Sequence, residues 1–317
     1  MMGADKQWRG GAAMGARGRM LAAMAVFGSI GAFVRAIPLP SAEIALWRAV
    51  IATVAIGAVL LVRRRPLPLA QIKGELPRLL LSGAAMGSNW ILLFAAYRYT
   101  SVSVATLSYY FAPSLVVLAS ALLFRERLTA RKGVCFLLAT GGMALVIGTQ
   151  GRGAGANDRL GIALGLGAAV LYAAVILLNK GIRSVSGVDR TLVQFAAAIL
   201  VLTPYQLLSG GFHLGALDPT GWAALLAVGL VHTGAAYCLY FSALKELPGQ
   251  TAALLSYLDP LVAVGVSALW LGEAIGPWQL VGGAAVLVCS FLSELGGGGG
   301  KAEGEGEGKG EGGAEAH

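Results

Sequence analysis

The 317-residue chain is 56% hydrophobic and only 13% charged, with a mean hydropathy of +0.72. About a quarter of a soluble domain's residues are charged, so an ordinary globular fold is excluded, and recurring apolar runs of ~18 or more residues identify an all-α integral membrane protein. The ~10-residue alternating segments of a β-barrel are missing. A net charge of +8 would suit nucleic acid, but the basic residues sit in short loops between apolar runs, where membrane topology places them, and no nucleic-acid role is expected. Cys135, Cys238 and Cys289 lie inside apolar runs with no CxxC spacing, so neither a disulfide, a metal site nor a cofactor is expected.

Residues 1–19 are polar, Gly-rich and basic (Lys6, Arg9, Arg17, Arg19). The first apolar run, Met20–Ile37, has the basic flank of a signal peptide. It reads instead as helix 1, because its removal would leave a chain written in two matching halves one helix short. Helix 2 spans about Glu43–Val62 and stops at Arg63-Arg64-Arg65-Pro66. Helices 3, 4 and 5 follow at about Leu79–Tyr97, Ser103–Phe124 and Lys132–Thr149. A polar loop, Gln150–Arg159, precedes helix 6 (Leu160–Ile182), helix 7 (Thr191–Leu208), helix 8 (Thr220–Leu244), helix 9 (Gln250–Leu271) and helix 10 (Trp278–Leu295). The tail, residues 296–317, alternates Gly with Glu and Lys and has nothing apolar to bury, so disorder is expected there. Nineteen Lys and Arg fall on the side that carries both termini and four on the other, which places both termini in the cytoplasm and the chain in the inner membrane.

Shifted by 147 positions, Trp90–Glu126 falls on Tyr237–Glu273 without a gap and with twelve identities, including Tyr110/Tyr257, Pro113/Pro260, Ser120/Ser267 and Glu126/Glu273. The chain is therefore read as two five-helix repeats, 20–149 and 160–295, joined by the loop 150–159. Five is odd, so the second copy must enter the membrane inverted. Inverted repeats are a common plan of secondary transporters, whose substrate site lies near the midplane between the halves.

The blocks Asn89-Trp90…Phe94-Ala-Ala-Tyr97…Tyr110-Phe-Ala-Pro113…Arg125-Glu126-Arg127 and Tyr237…Phe241-Ser-Ala-Leu244…Ser256-Tyr257-Leu-Asp-Pro260…Gly272-Glu273 resemble the drug/metabolite transporter superfamily, and within it the EamA-type ten-helix carriers. The resemblance covers all ten helices and leaves out only the N-terminal stretch and the tail. It implies export of amino acids or other metabolites, and the first repeat departs from the pattern by carrying Arg125 where Gly is usual.

Pro113 and Pro260 fall about midway along helices 4 and 9, where each would free a backbone carbonyl and kink its helix. They are read as a paired hinge, or else as static kinks. Asp259 is an ionisable group near mid-membrane, a functional position by default. It could bind a substrate ammonium, carry a proton, or pair structurally, with His232 as one partner. His232, midway along helix 8, is expected to be a satisfied core histidine, with a titrating role as the alternative. Arg48 is expected to snorkel to the interface, with a substrate carboxylate as its other possible partner. Arg35 and Lys180, at the far ends of helices 1 and 6, are read as interfacial anchors or gate charges. Glu126 and Glu273 are expected to cap the following helix or pair with a nearby Arg. Asn89, Trp90, Tyr110, Tyr172, Tyr237 and Tyr257 complete the candidate binding set, since aromatic walls with a few polar groups suit an amphipathic solute.

The reading that unites these features is a secondary transporter moving a small organic metabolite by alternating access, with amino acids, aromatic ones among them, as the expected substrate and protons as a candidate partner. A multidrug or nucleotide-type carrier is the rival within the class. A membrane enzyme would need a catalytic constellation that a lone His and Asp do not make, and a passive assembly subunit would not need polar groups inside the bundle.

Overall fold

The computed structural model describes residues 14–124, 130–148, 157–182, 184–185, 187–244, 246–247, 255–256 and 258–295. All regular structure among them is helical: α1 (Ala16–Arg35), α2 (Ser41–Val62), α3 (Leu69–Tyr99), α4 (Val102–Tyr109), α5 (Ala112–Phe124), α6 (Ala130–Gly148), α7 (Asp158–Lys180), α8 (Gly187–Leu208), α9 (Pro219–Leu226), α10 (Ala236–Leu244), α11 (Leu258–Leu269) and α12 (Pro277–Leu295). A π-helical stretch, Ala227–Ala235, runs continuously between α9 and α10. Six of the resulting spans are long and apolar enough to cross a membrane, and shorter apolar helices make up the others. The chain is an all-α integral membrane protein of ten spans in two inverted repeats, with α4–α5 forming the fourth span and α9–π–α10 the eighth.

The packing obeys the repeat. The third span (α3) lies on the sixth (α7), and its counterpart, the eighth, lies on the first (α1). The third also packs on α8, as the eighth packs on α2, and the fourth packs on α7, as α11 packs on α1. The pairs that relate to themselves under a two-fold, α2 with α8, α4 with α11 and α6 with α12, are also in contact. Most of each half's packing is therefore against the other half. Water-driven burial offers little gain between helices in lipid, so close backbone approach carries more of the weight. At Gly142 on α6, an added Cβ would stand 2.6 Å from the carbonyl oxygen of Gly282 on α12.

Helix starts are set by side-chain caps where the chain has them. Ser101 accepts from the N–H of Val104, Asn157 from Leu160 and Asp218 from Gly221, satisfying orphan donors of the first turns of α4, α7 and α9. Two expectations need correction. Helix 3 begins at Leu69 rather than Leu79, running through Pro77. That proline deprives the carbonyl of Lys73 of its partner at an exposed position, and Ile72 and Leu79 hold the lead-in turns against Ile182 and Val185. Helix 4 is two helices, broken at Tyr110-Phe111, so Pro113 sits in the first turn of α5 and not midway along a continuous helix. There, as a first-turn proline, it loses no intrahelical hydrogen bond. Pro260 is the third residue of α11, and residues 255–256 ahead of it are helical as well.

Candidate functional site

The break between α4 and α5 and the start of α11 meet where the fourth and ninth spans cross. There the Tyr110 hydroxyl donates to Asp259 Oδ2 at 2.5 Å, and both side chains are half-buried. Position 259 matches Ala112 under the 147-residue shift, so only the second copy carries the carboxylate. Tyr109 extends this corner: its ring lies 5.9 Å from Tyr110 and 5.1 Å from Tyr172, which α7 brings in. Tyr257, the repeat partner of Tyr110, lies outside the described residues.

Arg48 corrects its sequence reading. It does not reach the interface: the residue is 3% exposed, because α2 is enclosed at that level by α3, α8 and the π segment. Its Nε donates to Thr233 Oγ1 at 3.0 Å, and its guanidinium carbon lies 4.4 Å from the centre of the Trp90 ring and 5.1 Å from that of Phe94. These are cation–π distances. Among the described residues, no acidic side chain forms an ion pair with it. From Trp90 a chain of edge-on aromatic contacts leads to Phe195 (5.6 Å), Tyr237 (5.4 Å further) and Phe27 (5.1 Å further). That chain begins at the ring Arg48 faces and ends at Phe27, beside Gly28, against which the backbone of Asp259 packs.

The His232–Asp259 pair considered from the sequence does not form. His232 is buried, with Nε2 3.1 Å from Ser29 Oγ and Nδ1 3.1 Å from the Ala227 carbonyl, and its ring packs 4.6 Å from Phe33. Ser29 also lies 2.9 Å from the Val26 carbonyl and has one proton to give. Asn89 is committed to structure, its Nδ2 donating to the Ala168 carbonyl at 2.6 Å and tying α3 to α7. Lys180 ends α7, and its side chain and Glu126 lie outside the described residues.

Arg35, at the end of α1, keeps about a third of its side chain exposed while it is paired across the repeats. It forms an ion pair with Glu273, and its Nε and Nη2 donate to the carbonyls of Tyr97 (2.9 Å) and Thr100 (2.6 Å). Glu273 Oε2 accepts from the N–H of Val102 at 2.9 Å and from the Ser267 hydroxyl. The carboxylate thus caps α4, a helix of the opposite repeat, and not the helix that follows it. This clasp joins α1, α3, α4, α11 and the loop after α11 at the end of the bundle where Arg98 also holds the carbonyls of Ile37 and Leu39.

Sequence reasoning missed Thr233, Ser29 and Glu43. The first two are small hydroxyls inside apolar runs, where the only signal is their polarity. Glu43 is fully buried and accepts from the backbone N–H of His213 at 2.8 Å. Its oxygens also lie 3.0 Å from His213 Nδ1 and 3.3 Å from the Trp47 indole nitrogen. An apolar pocket of about 360 Å³ lies beside Trp47. It is lined by Trp47, Ile51, Val54, Trp222, Leu226 and Leu230 on the outer sides of α2 and the eighth span.

Known proteins agree with this architecture. The model of the EamA-like transporter family matches residues 18–148 and again 159–294. The uncharacterized transporter YxxF of Bacillus subtilis is 30% identical over 273 residues, 83% of this chain and 84% of that protein. The threonine/homoserine exporter RhtA of Escherichia coli K12 is 27% identical over 247 residues, 76% of this chain and 79% of its own length. A crystal structure at 17% identity superposes with a TM-score of 0.59, covering 88% of this chain and 96% of that one, which is a likeness of fold. The chain belongs to the EamA-like transporter family of the drug/metabolite transporter superfamily and is a multi-pass membrane transporter.

Proposed function

We propose that this protein exports an amino acid across the inner membrane by alternating access. The observation that carries this reading is Asp259, a carboxylate set where the two inverted repeats cross, bonded to Tyr110 and flanked by tyrosines. An intramembrane acid between repeats is where a substrate ammonium or a coupling proton would be handled. The aromatic surround favours an aromatic side chain, and the relative named a threonine/homoserine exporter supports the amino-acid class. In this reading Tyr110, Tyr172, Trp90, Tyr237, His232 and Tyr257 border the substrate, and Pro113 and Pro260 mark the paired hinges. The repeats 20–149 and 160–295 rock about the crossing, and both termini face the cytoplasm.

The test is uptake of labelled amino acids into proteoliposomes of the purified protein, with and without a pH gradient, beside Asp259→Asn. Saturable uptake, competed by related amino acids and lost or freed from the gradient in Asp259→Asn, is the expected result. Equal transport by wild type and Asp259→Asn would remove the carboxylate from the mechanism. Silence across the panel, with uptake of cationic drugs or nucleotides instead, would replace the substrate class.

A further inference from the structure

Arg48 is the feature that the preceding account leaves unused. A guanidinium carries five N–H donors. Here one, on Nε, is spent on Thr233, and the two terminal amino groups make no hydrogen bond among the described residues. The side chain is nevertheless removed from lipid and water alike, at 3% exposure. Isolated buried charge is expensive, and proteins normally pair it. Contact with the faces of Trp90 and Phe94 offsets part of that cost without using a single N–H. Among the described residues the cation is therefore housed and unneutralised.

Its orientation is set from the π segment. Thr233 donates its hydroxyl proton to the carbonyl of Val228, five residues back, at 2.7 Å. With that proton committed, the oxygen has only lone pairs for Arg48 Nε, and it holds the guanidinium through Nε while the end-on edge between the two terminal nitrogens is left. Trp90 and Phe94 fix the plane. A planar fork with its two amino groups unassigned matches a carboxylate, which it can grip with two parallel hydrogen bonds.

We infer that Arg48 is the receptor for the substrate's carboxylate, with Thr233 as its positioning residue, so that the transported class is a free amino acid recognised through its carboxylate rather than an amine or an ester. This rests on the amino-acid reading above and specifies how the site discriminates.

The test is competition in the same proteoliposomes. Unlabelled L-phenylalanine and L-threonine, their methyl esters and the corresponding decarboxylated amines are set against labelled L-phenylalanine or L-threonine. Wild type should prefer each acid to its ester and amine by at least about 30-fold, the order expected for losing a charge-assisted pair. Arg48→Gln should bring that ratio close to one. Arg48→Lys, which keeps the charge and loses the fork, should leave a ratio of a few-fold, and Thr233→Val should fall between Lys and wild type. The ratio is a readout that a merely structural arginine would not move, and the ligand series on the unaltered protein stands even if Arg48→Gln fails to fold. Esters competing as well as acids in wild type, or an unchanged ratio in Arg48→Gln, would overturn the inference while leaving amino-acid export intact. Wild type that takes up neither labelled amino acid would instead remove the export reading itself, and this inference with it.

Discussion

Glu273→Ala should lower stability by about 3 kcal/mol. The carboxylate faces Arg35 and accepts from the buried N–H of Val102 and from Ser267. Breaking a buried ion pair costs about 3–5 kcal/mol because the surviving charge is left uncompensated. Arg35 is about a third exposed, so water reclaims part of that. The N–H of Val102 has no such recourse and adds about 1–3 kcal/mol as an orphaned donor. Glu273→Gln keeps an acceptor for Val102 and should cost roughly half as much. The exchanged double variant, Arg35→Glu with Glu273→Arg, should not be rescued, since it restores opposite charges but turns a cation toward the N-terminus of α4. Thermal unfolding midpoints in detergent rank the three. A double variant as stable as wild type would show that α4 does not use Glu273 as its cap.

Gly28→Leu should separate α1 from α11 and abolish transport. An added Cβ at Gly28 would stand 2.4 Å from the backbone oxygen of Asp259 and 2.7 Å from Val262 Cβ. The first of these is backbone and cannot rotate away. Overpacking costs about 1–3 kcal/mol even where side chains can adjust, so a leucine here should exceed that range. It would also move the residue that holds the candidate carboxylate. Gly57→Ala on α2 is the internal control: nothing lies within 4 Å of its added Cβ, and helix propensity alone should make it neutral or stabilising by up to ~1 kcal/mol. If Gly28→Leu melts with wild type, the α1–α11 contact is wrong.

The architecture was legible because it is written in quantities that sequence carries well. Apolar run length set the spans, and the 147-residue repeat with an odd helix count required the inversion. The break at Tyr110-Phe111 was half legible: Pro113 marks a disturbance there, but a proline in a long apolar run does not tell a kink in one helix from the start of a second. Hydropathy also gives depth but not direction around the helix axis. The flank of Arg48 is apolar on every side, so nothing in the sequence distinguished an arginine reaching outward from one enclosed by α3, α8 and the π segment. Pairings across the fold were harder still: Glu273 could be assigned a role as a helix cap, but its helix belongs to the other repeat, 171 residues away from it. The candidate set itself scattered, with Asn89 tied to the backbone of α7, His232 held by Ser29 and Ala227, and Tyr110 and Asp259 joined.

The interleaving of the two halves also bears on how the chain is made. The surfaces that α1, α2 and α3 bury belong mainly to α7, α8, α10, the π segment and α11. None of these exists when the first five spans have already entered the membrane. At about 5–20 residues per second, synthesis of the second half leaves the first without its partners for roughly seven to thirty seconds. During that interval Arg48 and Arg35 lack Thr233 and Glu273, the groups that later receive them. The newborn half must therefore be sheltered by the insertion machinery or by loose, exchangeable helix contacts, and the ribosome's pace through residues 158–295 sets how long that shelter is needed.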